Sequence, residues 1–295
     1  MLYVWCDFKG RKFELITEPF SFLRGAIERQ NMNVITETYA IELYNENCEV
    51  TMKRIETGAV KLILTDPPYN TTQCDWEYEL DLPKIWQEWG RILSDDGVII
   101  VFADEPFTSK LIVSKLEFFK YRITWDKMTG SNFLNAHKMP LKQTEDAVVF
   151  AKVKNGQYTY NPILTDKPKK NIRPEGKPKK KKASTYGEHN GNFHESYDNT
   201  KSYPTNLLSL SSKTDECNPL NRVHPTQKPI DLMRNLIITY SNKGDLVFDG
   251  YSGSGTTAHA CILENRNFIG SEMDKTYFDK SMKRLKLERM QTKLF

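Results

Sequence analysis

Apolar and polar positions change period repeatedly along the chain, and each change marks an element. Residues 39–44 (YAIELY) alternate every second position and predict a strand, and residues 60–65 (VKLILT) form a compact apolar strand. Leu82, Ile85, Trp86, Trp89, Ile92 and Leu93 recur at helical spacing, which predicts an amphipathic helix with one buried stripe. Residues 94–97 (SDDG) read as a turn, leading into a buried strand over 98–102. A second helix is predicted from Pro106 to Phe119, with further strands over 121–125 and 147–151. The rhythm then stops and resumes with a helix over 230–240, Pro229 standing at its first turn. A strand over 245–249, a helix over 256–264, a strand over 267–272 and a closing helix over 277–290 complete the pattern. Strand and helix alternate throughout, so the fold class is α/β: a mostly parallel sheet covered on both faces.

The interruption divides the chain. Residues 1–31 have mixed charge, several aromatics and no motif, and read as an N-terminal extension of unknown role. Residues 32–152 make one half of the sheet domain and 222–295 the other. Between them, 153–221 is polar, aromatic and rich in Asn, Lys, Ser, Tyr and Pro, and looks inserted. Within it, residues 167–182 (KPKKNIRPEGKPKKKK) set one acid, Glu175, among many bases.

Whole-chain properties narrow the field. A chain of 295 residues buries enough core for one large α/β domain plus an insertion. Cys6, Cys48, Cys74, Cys217 and Cys261 are scattered, never as C-x-x-C, and read as reduced cytosolic thiols without a disulfide framework or zinc site. His189 and His194 have no second ligand pair beside them, so no metal is expected. The opening residues lack a secretory signal, and the longest apolar run, 98–103, is too short for a bilayer, so a cytoplasmic protein without a membrane partner is expected. The net charge of +4 says little about partners, whereas the lysine-rich run predicts phosphate contacts.

Three loops carry candidate chemistry. Residues 248–257 (FDGYSGSGTT) follow a strand and open a helix; Gly253 and Gly255 permit a tight turn and close approach of backbone to a ligand. Glu272 ends the next strand, where dinucleotide-type folds place an acid on ribose hydroxyls. Residues 65–70 (TDPPYN) also follow a strand. Pro67 and Pro68 stiffen that backbone and remove donors, Asp66 adds a carboxylate acceptor, and Tyr69 adds a flat stacking face. The set suits a planar ring bearing an NH₂ group. Such an amine has its lone pair delocalised into the ring, and two acceptors drawing on its hydrogens favour the geometry in which the pair becomes available. Residues 222–229 (RVHPTQKP) bring the donors Thr226, Gln227 and Lys228 to a turn just before a helix. Each loop alone has an ordinary structural explanation: tight packing, a proline-rich strand exit, a turn leading into a helix.

Their order changes the reading. DPPY at 66–69, HPTQKP at 224–229 and D-x-x-x-G-S-G-T-T at 249–257 resemble the β-group of permuted DNA amino-methyltransferases, which modify adenine N6 or cytosine N4. The resemblance covers roughly 40–285 and extends to Trp125-Asp-Lys, residues 137–140 (HKMP), 144–152 (TEDAVVFAK) and 203–205 (YPT). It implies a Rossmann-like seven-stranded, S-adenosylmethionine-dependent methyltransferase sheet with one antiparallel strand and an inserted target-recognition region at 153–221. By resemblance, Asp249, Gly253, Ser254, Gly255, Thr256 and Glu272 bind S-adenosylmethionine, helped by His224, Thr226 and Lys228, while Asp66, Pro67, Pro68 and Tyr69 hold an extruded base. Gly250 and Tyr251 stand where Pro and Phe are usual, and Asn47-Cys48 where Asp-Cys is common.

The expected reaction is methyl transfer to adenine N6 of double-stranded DNA after base flipping, since Asp begins the tetrapeptide where the cytosine-N4 enzymes more often carry Ser. Cytosine N4 is the alternative, followed by an RNA or protein methyltransferase and by an inert DNA-binding relative. Cytosine C5 chemistry is excluded, because none of the five cysteines follows proline. DNA contacts are expected from Lys169, Lys170, Arg173, Lys179, Lys180, Lys181 and Lys182. A homodimer and a bacterial, phage or plasmid-borne restriction-modification setting are expected from the resemblance alone.

Overall fold

The computed structural model of the protein describes residues 3–6, 12–15, 39–68, 80–153, 157–172, 198–218 and 221–291. Tyr69, Arg173, Lys179, Lys180, Lys181, Lys182, His189 and His194 lie outside them, as does most of 1–31. From that extension, β1 (Tyr3–Cys6) and β2 (Lys12–Leu15) pair antiparallel with each other.

The chain forms two compact units: 1–161 with 206–295, and Pro162–Thr205. In the first, β3 (Ile41–Tyr44), α1 (Cys48–Met52), β4 (Val60–Thr65), α2 (Leu82–Ile92), β5 (Leu93–Ala103), α3 (Phe107–Ser114), β6 (Phe119–Ser131) and β7 (Lys142–Ala151) precede the interruption. The second unit holds β8 (Thr165–Asp166) paired antiparallel with β9 (Lys201–Ser202). The first resumes with β10 (Leu207–Ser209), α4 (Ile230–Tyr240), β11 (Leu246–Asp249), α5 (Thr256–Glu264), β12 (Asn267–Ser271) and α6 (Lys275–Gln291).

Among the described residues the main sheet has eight strands in the order β10-β6-β7-β5-β4-β11-β12-β3. Of these eight, only β7 runs against the rest, pairing antiparallel with both β5 and β6. The reversed strand matches the resemblance, but the count exceeds the seven strands it implies. The addition is β10, a three-residue strand from the polar stretch, held beside β6 where Trp125 Nε1 donates to Leu210 O at 2.8 Å.

Period-two alternation explains the layers. Leu62, Leu64, Val98, Ile100, Phe102 and Val149 point to one face and pack with Leu232, Met233, Leu236, Ile237 and Tyr240 of α4 and Ala258 and Ile262 of α5. Ile63, Ile99, Val101, Val148 and Phe150 point to the other, against Ile85, Trp86, Trp89 and Ile92 of α2, and Val60 joins them because the β4–β5 ladder is irregular between Val60 and Leu62. The stripe predicted for α2 is thus its buried face, and Asp81 caps its start by accepting from Lys84 N at 3.2 Å. Residues 94–97, expected as a turn, lie inside β5, at a register shift against β4. A Cβ at Gly97 would fall 2.7 Å from Leu93 Cδ1, so a larger residue there would displace the buried Leu93 side chain. The second helix is also shorter than expected, ending at Ser114, whose Oγ donates to Leu111 O and accepts from Trp86 Nε1.

Candidate active site

Five parallel neighbours, β5, β4, β11, β12 and β3, deliver their C-terminal ends to one edge of the sheet, where open α/β sheets form ligand crevices. Asp66 follows β4, the glycine loop follows β11, Glu272 follows β12, and Asn47 lies three residues beyond β3. Because β7 is reversed, its first residues, including Lys142 and Glu145, arrive at the same edge. A cavity of about 630 Å³ opens there, within the range of ~300–1,000 Å³ typical of small-molecule sites.

Its wall brings together Asp66, Pro67, Pro68, His224, Thr226, Lys228, Asp249, Gly253, Ser254, Thr256 and Glu272. Two loops nearly two hundred residues apart in the chain meet here since β4 and β11 are hydrogen-bonded neighbours, Val247 opposite Leu62 and Phe248 opposite Ile63. A side-chain clamp reinforces the join. Asp249 Oδ1 accepts from Thr65 Oγ1 at 2.7 Å and from Tyr251 N at 3.1 Å, and Oδ2 accepts from Thr257 Oγ1 at 2.6 Å. Burial pushes the Asp249 carboxyl up to about 6; the two threonines and the Tyr251 amide oppose that shift, while the charge of Asp66 adds to it.

The glycine loop is shaped for close approach. Gly253 and Gly255 sit at φ +50° and +72°, a region disfavoured for residues with a Cβ. Gly255 does not line the cavity; it starts α5, and Ser281 of α6 supports the loop by donating from Oγ to Gly253 O at 2.6 Å. Gly250, where the resemblance leads one to expect proline, passes Cys48 so closely that a Cβ would lie 3.0 Å from Cys48 Cβ. Its carbonyl accepts from Ser271 Oγ at 2.9 Å.

Glu272 accepts from Gly253 N and Asp274 N, each at 2.8 Å, while burial raises its carboxyl above the ordinary range. Asn45 fixes the backbone on either side of this turn by donating to the carbonyls of Glu272 and Met273. Asn47 lines the cavity and accepts from Glu49 N at 2.8 Å, capping α1. His224 stands edge-on to Tyr277, 4.3 Å between centroids, and burial, with the charge of Lys228, lowers it to about 4. Its Nδ1 lies 3.0 Å from Thr226 Oγ1 and accepts from Thr226 N at 3.3 Å, an arrangement for neutral imidazole.

A polar lining of this kind fits an adenosine-bearing ligand. Ser252 Oγ is buried in the cavity wall with no hydrogen-bond partner among the described residues, and glycines line the approach. The DNA methylase family model for N6 and N4 methyltransferases matches residues 60–283. The chain belongs to this family. Members are S-adenosylmethionine-dependent DNA methyltransferases. This methylase is 29% identical over 266 residues to the type II methyltransferase M1.MboII of Moraxella bovis, covering 81% of this chain and 94% of the relative. It is 28% identical over 247 residues to the DNA adenine methyltransferase YhdJ of Escherichia coli K12, covering 79% of each. Among solved structures, the M1.HpyAVI–SAM complex aligns with TM-score 0.55 at 25% identity, over 83% of this chain and 98% of that one.

Several wall residues escaped the sequence reading. Glu145, buried near the start of β7, pairs through Oε2 with Lys228 Nζ at 3.4 Å and through Oε1 with Lys127 Nζ at 3.3 Å. Lys142 pairs with Asp104 at the end of β5. Behind the glycine loop, Glu216 accepts from Arg284 at 3.0 Å and from Ile230 N at 2.6 Å, tying α6 to the start of α4. Lys169 and Lys170 are exposed in a short 3₁₀ turn of the second unit.

Proposed function

We propose that this methylase transfers a methyl group from S-adenosylmethionine to N6 of a flipped adenine in duplex DNA. The supporting observation is the meeting of the Asp66 loop and the glycine loop on one cavity, across hydrogen-bonded strands β4 and β11. Bound S-adenosylmethionine supplies an electrophilic methyl on a sulfonium centre. The glycine loop, with Ser252, Ser254 and Thr256, would cradle the cofactor, Glu272 would take its ribose hydroxyls, and His224 and Thr226 would close the cavity from the side of Tyr277.

On the other side of the cavity, the Asp66 carboxylate and the carbonyls of the proline pair accept hydrogens from the target amine, and Tyr69 stacks on the base. Acceptors fixed in this way contribute on the order of 10²–10³ in rate. Holding both reactants in one cavity removes much of the entropic cost of their encounter. Extrusion of the base costs a few kcal/mol, offset in part by stacking. The choice of adenine is supported by Asp at the head of the tetrapeptide and by the likeness to a DNA adenine methyltransferase.

The segment around Pro162–Thr205, with the lysine-rich run inside it, is proposed to bind the DNA backbone through Lys169, Lys170, Arg173 and Lys179 to Lys182. A bacterial cytoplasmic setting and a homodimer are part of the same reading, drawn from the family and its bacterial type II members. The test is transfer of tritiated methyl to unmethylated DNA, followed by nuclease digestion and chromatography of the nucleosides. Label in N6-methyldeoxyadenosine is the expected result. Label in N4-methyldeoxycytidine would move the target to cytosine, and no label at all would overturn the reading.

A further inference from the structure

The resemblance implies that Lys228 helps to bind the cofactor, yet its Nζ lies 2.5 Å from Asp66 Oδ2 and 3.4 Å from Glu145 Oε2. The ammonium is buried, with the Phe102 ring centroid 5.0 Å away. Lys127, also buried, meets the other oxygen of Glu145. Four charges therefore alternate in sign through successive ion pairs: Asp66, Lys228, Glu145, Lys127. Four segments supply them: the end of β4, the turn before α4, and the paired strands β6 and β7. Burial pushes the Glu145 carboxyl up, but Lys228, Lys127 and Lys142 together more than offset this and hold it below the ordinary range, so Glu145 is ionised at neutral pH.

We infer that Lys228 and Glu145 are positioning residues for Asp66: Lys228 fixes the carboxylate in one orientation, and Glu145 takes a share of the ammonium's charge so that Asp66 keeps its strength as an acceptor. The inference rests on the amino-methyl transfer proposed above. An ammonium held by Asp66 alone would draw electron density from the carboxylate and compete with the target amine for it. With Glu145 on its other side, the same ammonium orients the acceptor with less loss of basicity. The reversed direction of β7 is what makes this possible, since it brings the first residues of that strand to the edge where Asp66 stands.

A double-mutant cycle tests the chain of action. Steady-state methylation of DNA is measured for the wild type, Lys228→Met, Glu145→Gln and the double variant, with cofactor affinity by calorimetry and melting temperature alongside. Lys228→Met lowers kcat by about 10²-fold, the scale of a misplaced reacting group. Glu145→Gln lowers kcat by about tenfold, and both single variants keep cofactor Kd and DNA KM within about twofold of wild type. In the Lys228→Met background Glu145→Gln costs nothing further. With Lys228 intact, Glu145→Asp keeps most of the wild-type kcat that Glu145→Gln loses. Glu145→Gln leaves Lys228 paired with Asp66, so its loss of kcat at unchanged melting temperature carries the test even where Lys228→Met folds poorly. Additive losses, an unchanged kcat in Glu145→Gln, or a loss confined to cofactor affinity in Lys228→Met each overturn the inference. An inactive wild type would instead defeat the proposed function.

Discussion

Asp249 ties the two halves of the site together, and its ionisation leaves a signature in stability. The carboxyl is fully buried and pushed from 3.8 up to about 6, with burial the largest cause. Its proton is bound more tightly in the folded than in the unfolded chain, so between those values the folded state holds the extra proton. The sign follows: this group's contribution to stability is greatest below pH 3.8 and declines as pH rises through about 6. The full difference amounts to about 3 kcal/mol, and roughly two-thirds of it falls between about pH 4.5 and pH 7. Asp249→Asn removes the titration while keeping the shape, since the Thr65 and Thr257 hydroxyls can rotate to meet an amide. Urea denaturation of wild type and variant across this range gives a difference curve in which other titrating groups cancel. Wild-type stability relative to the variant should fall by about 2 kcal/mol from the acidic to the neutral end. Parallel curves would refute the reasoning and show that the buried carboxylate ionises without cost.

Asp66→Ala should abolish methylation while leaving cofactor affinity nearly intact, measured by radiolabel transfer and calorimetry; full activity would remove Asp66 from its role. Gly255→Ala meets both a φ of +72° and a Cβ approach of 3.2 Å to Ser281, so it should lower stability by about 1–2 kcal/mol, read from chemical denaturation. Neutralising Lys179, Lys180, Lys181 and Lys182 should flatten the salt dependence of DNA binding by about 0.9 in log–log slope for each phosphate that a lysine no longer neutralises. An unchanged slope would take those lysines out of the interface.

Local pattern made most of the sheet domain legible. The bounds of β4, α4 and α5 follow directly from apolar periodicity and proline placement, and α2 from its stripe of Trp and Ile. Where reading failed, the information was not local. Residues 94–97 look like a turn because Asp-Asp-Gly has turn chemistry, but Asp96 is held by Ser94 and Lys61 and the segment continues the strand. Strand β10 has only three residues and owes its existence to β6, to which Trp125 and Asp126 anchor it. At the site, the loops that follow parallel strands could be read because each carries its chemistry in consecutive residues. Glu145 could not, since one acid at the start of a strand gains meaning only when that strand runs backwards through the sheet. Lys228 was visible in its motif, but nothing in sequence could tell that its ammonium reaches across to Asp66.

The central claim is that the glycine loop and the Asp66 loop form one reaction chamber. A crystal structure with S-adenosylhomocysteine and a duplex carrying the target base tests it most directly. The expected complex has the ribose on Glu272, the sulfur facing Asp66, and the flipped adenine's amine hydrogen-bonded to that carboxylate. A cofactor bound away from the glycine loop, or a base held far from Asp66, would contradict it.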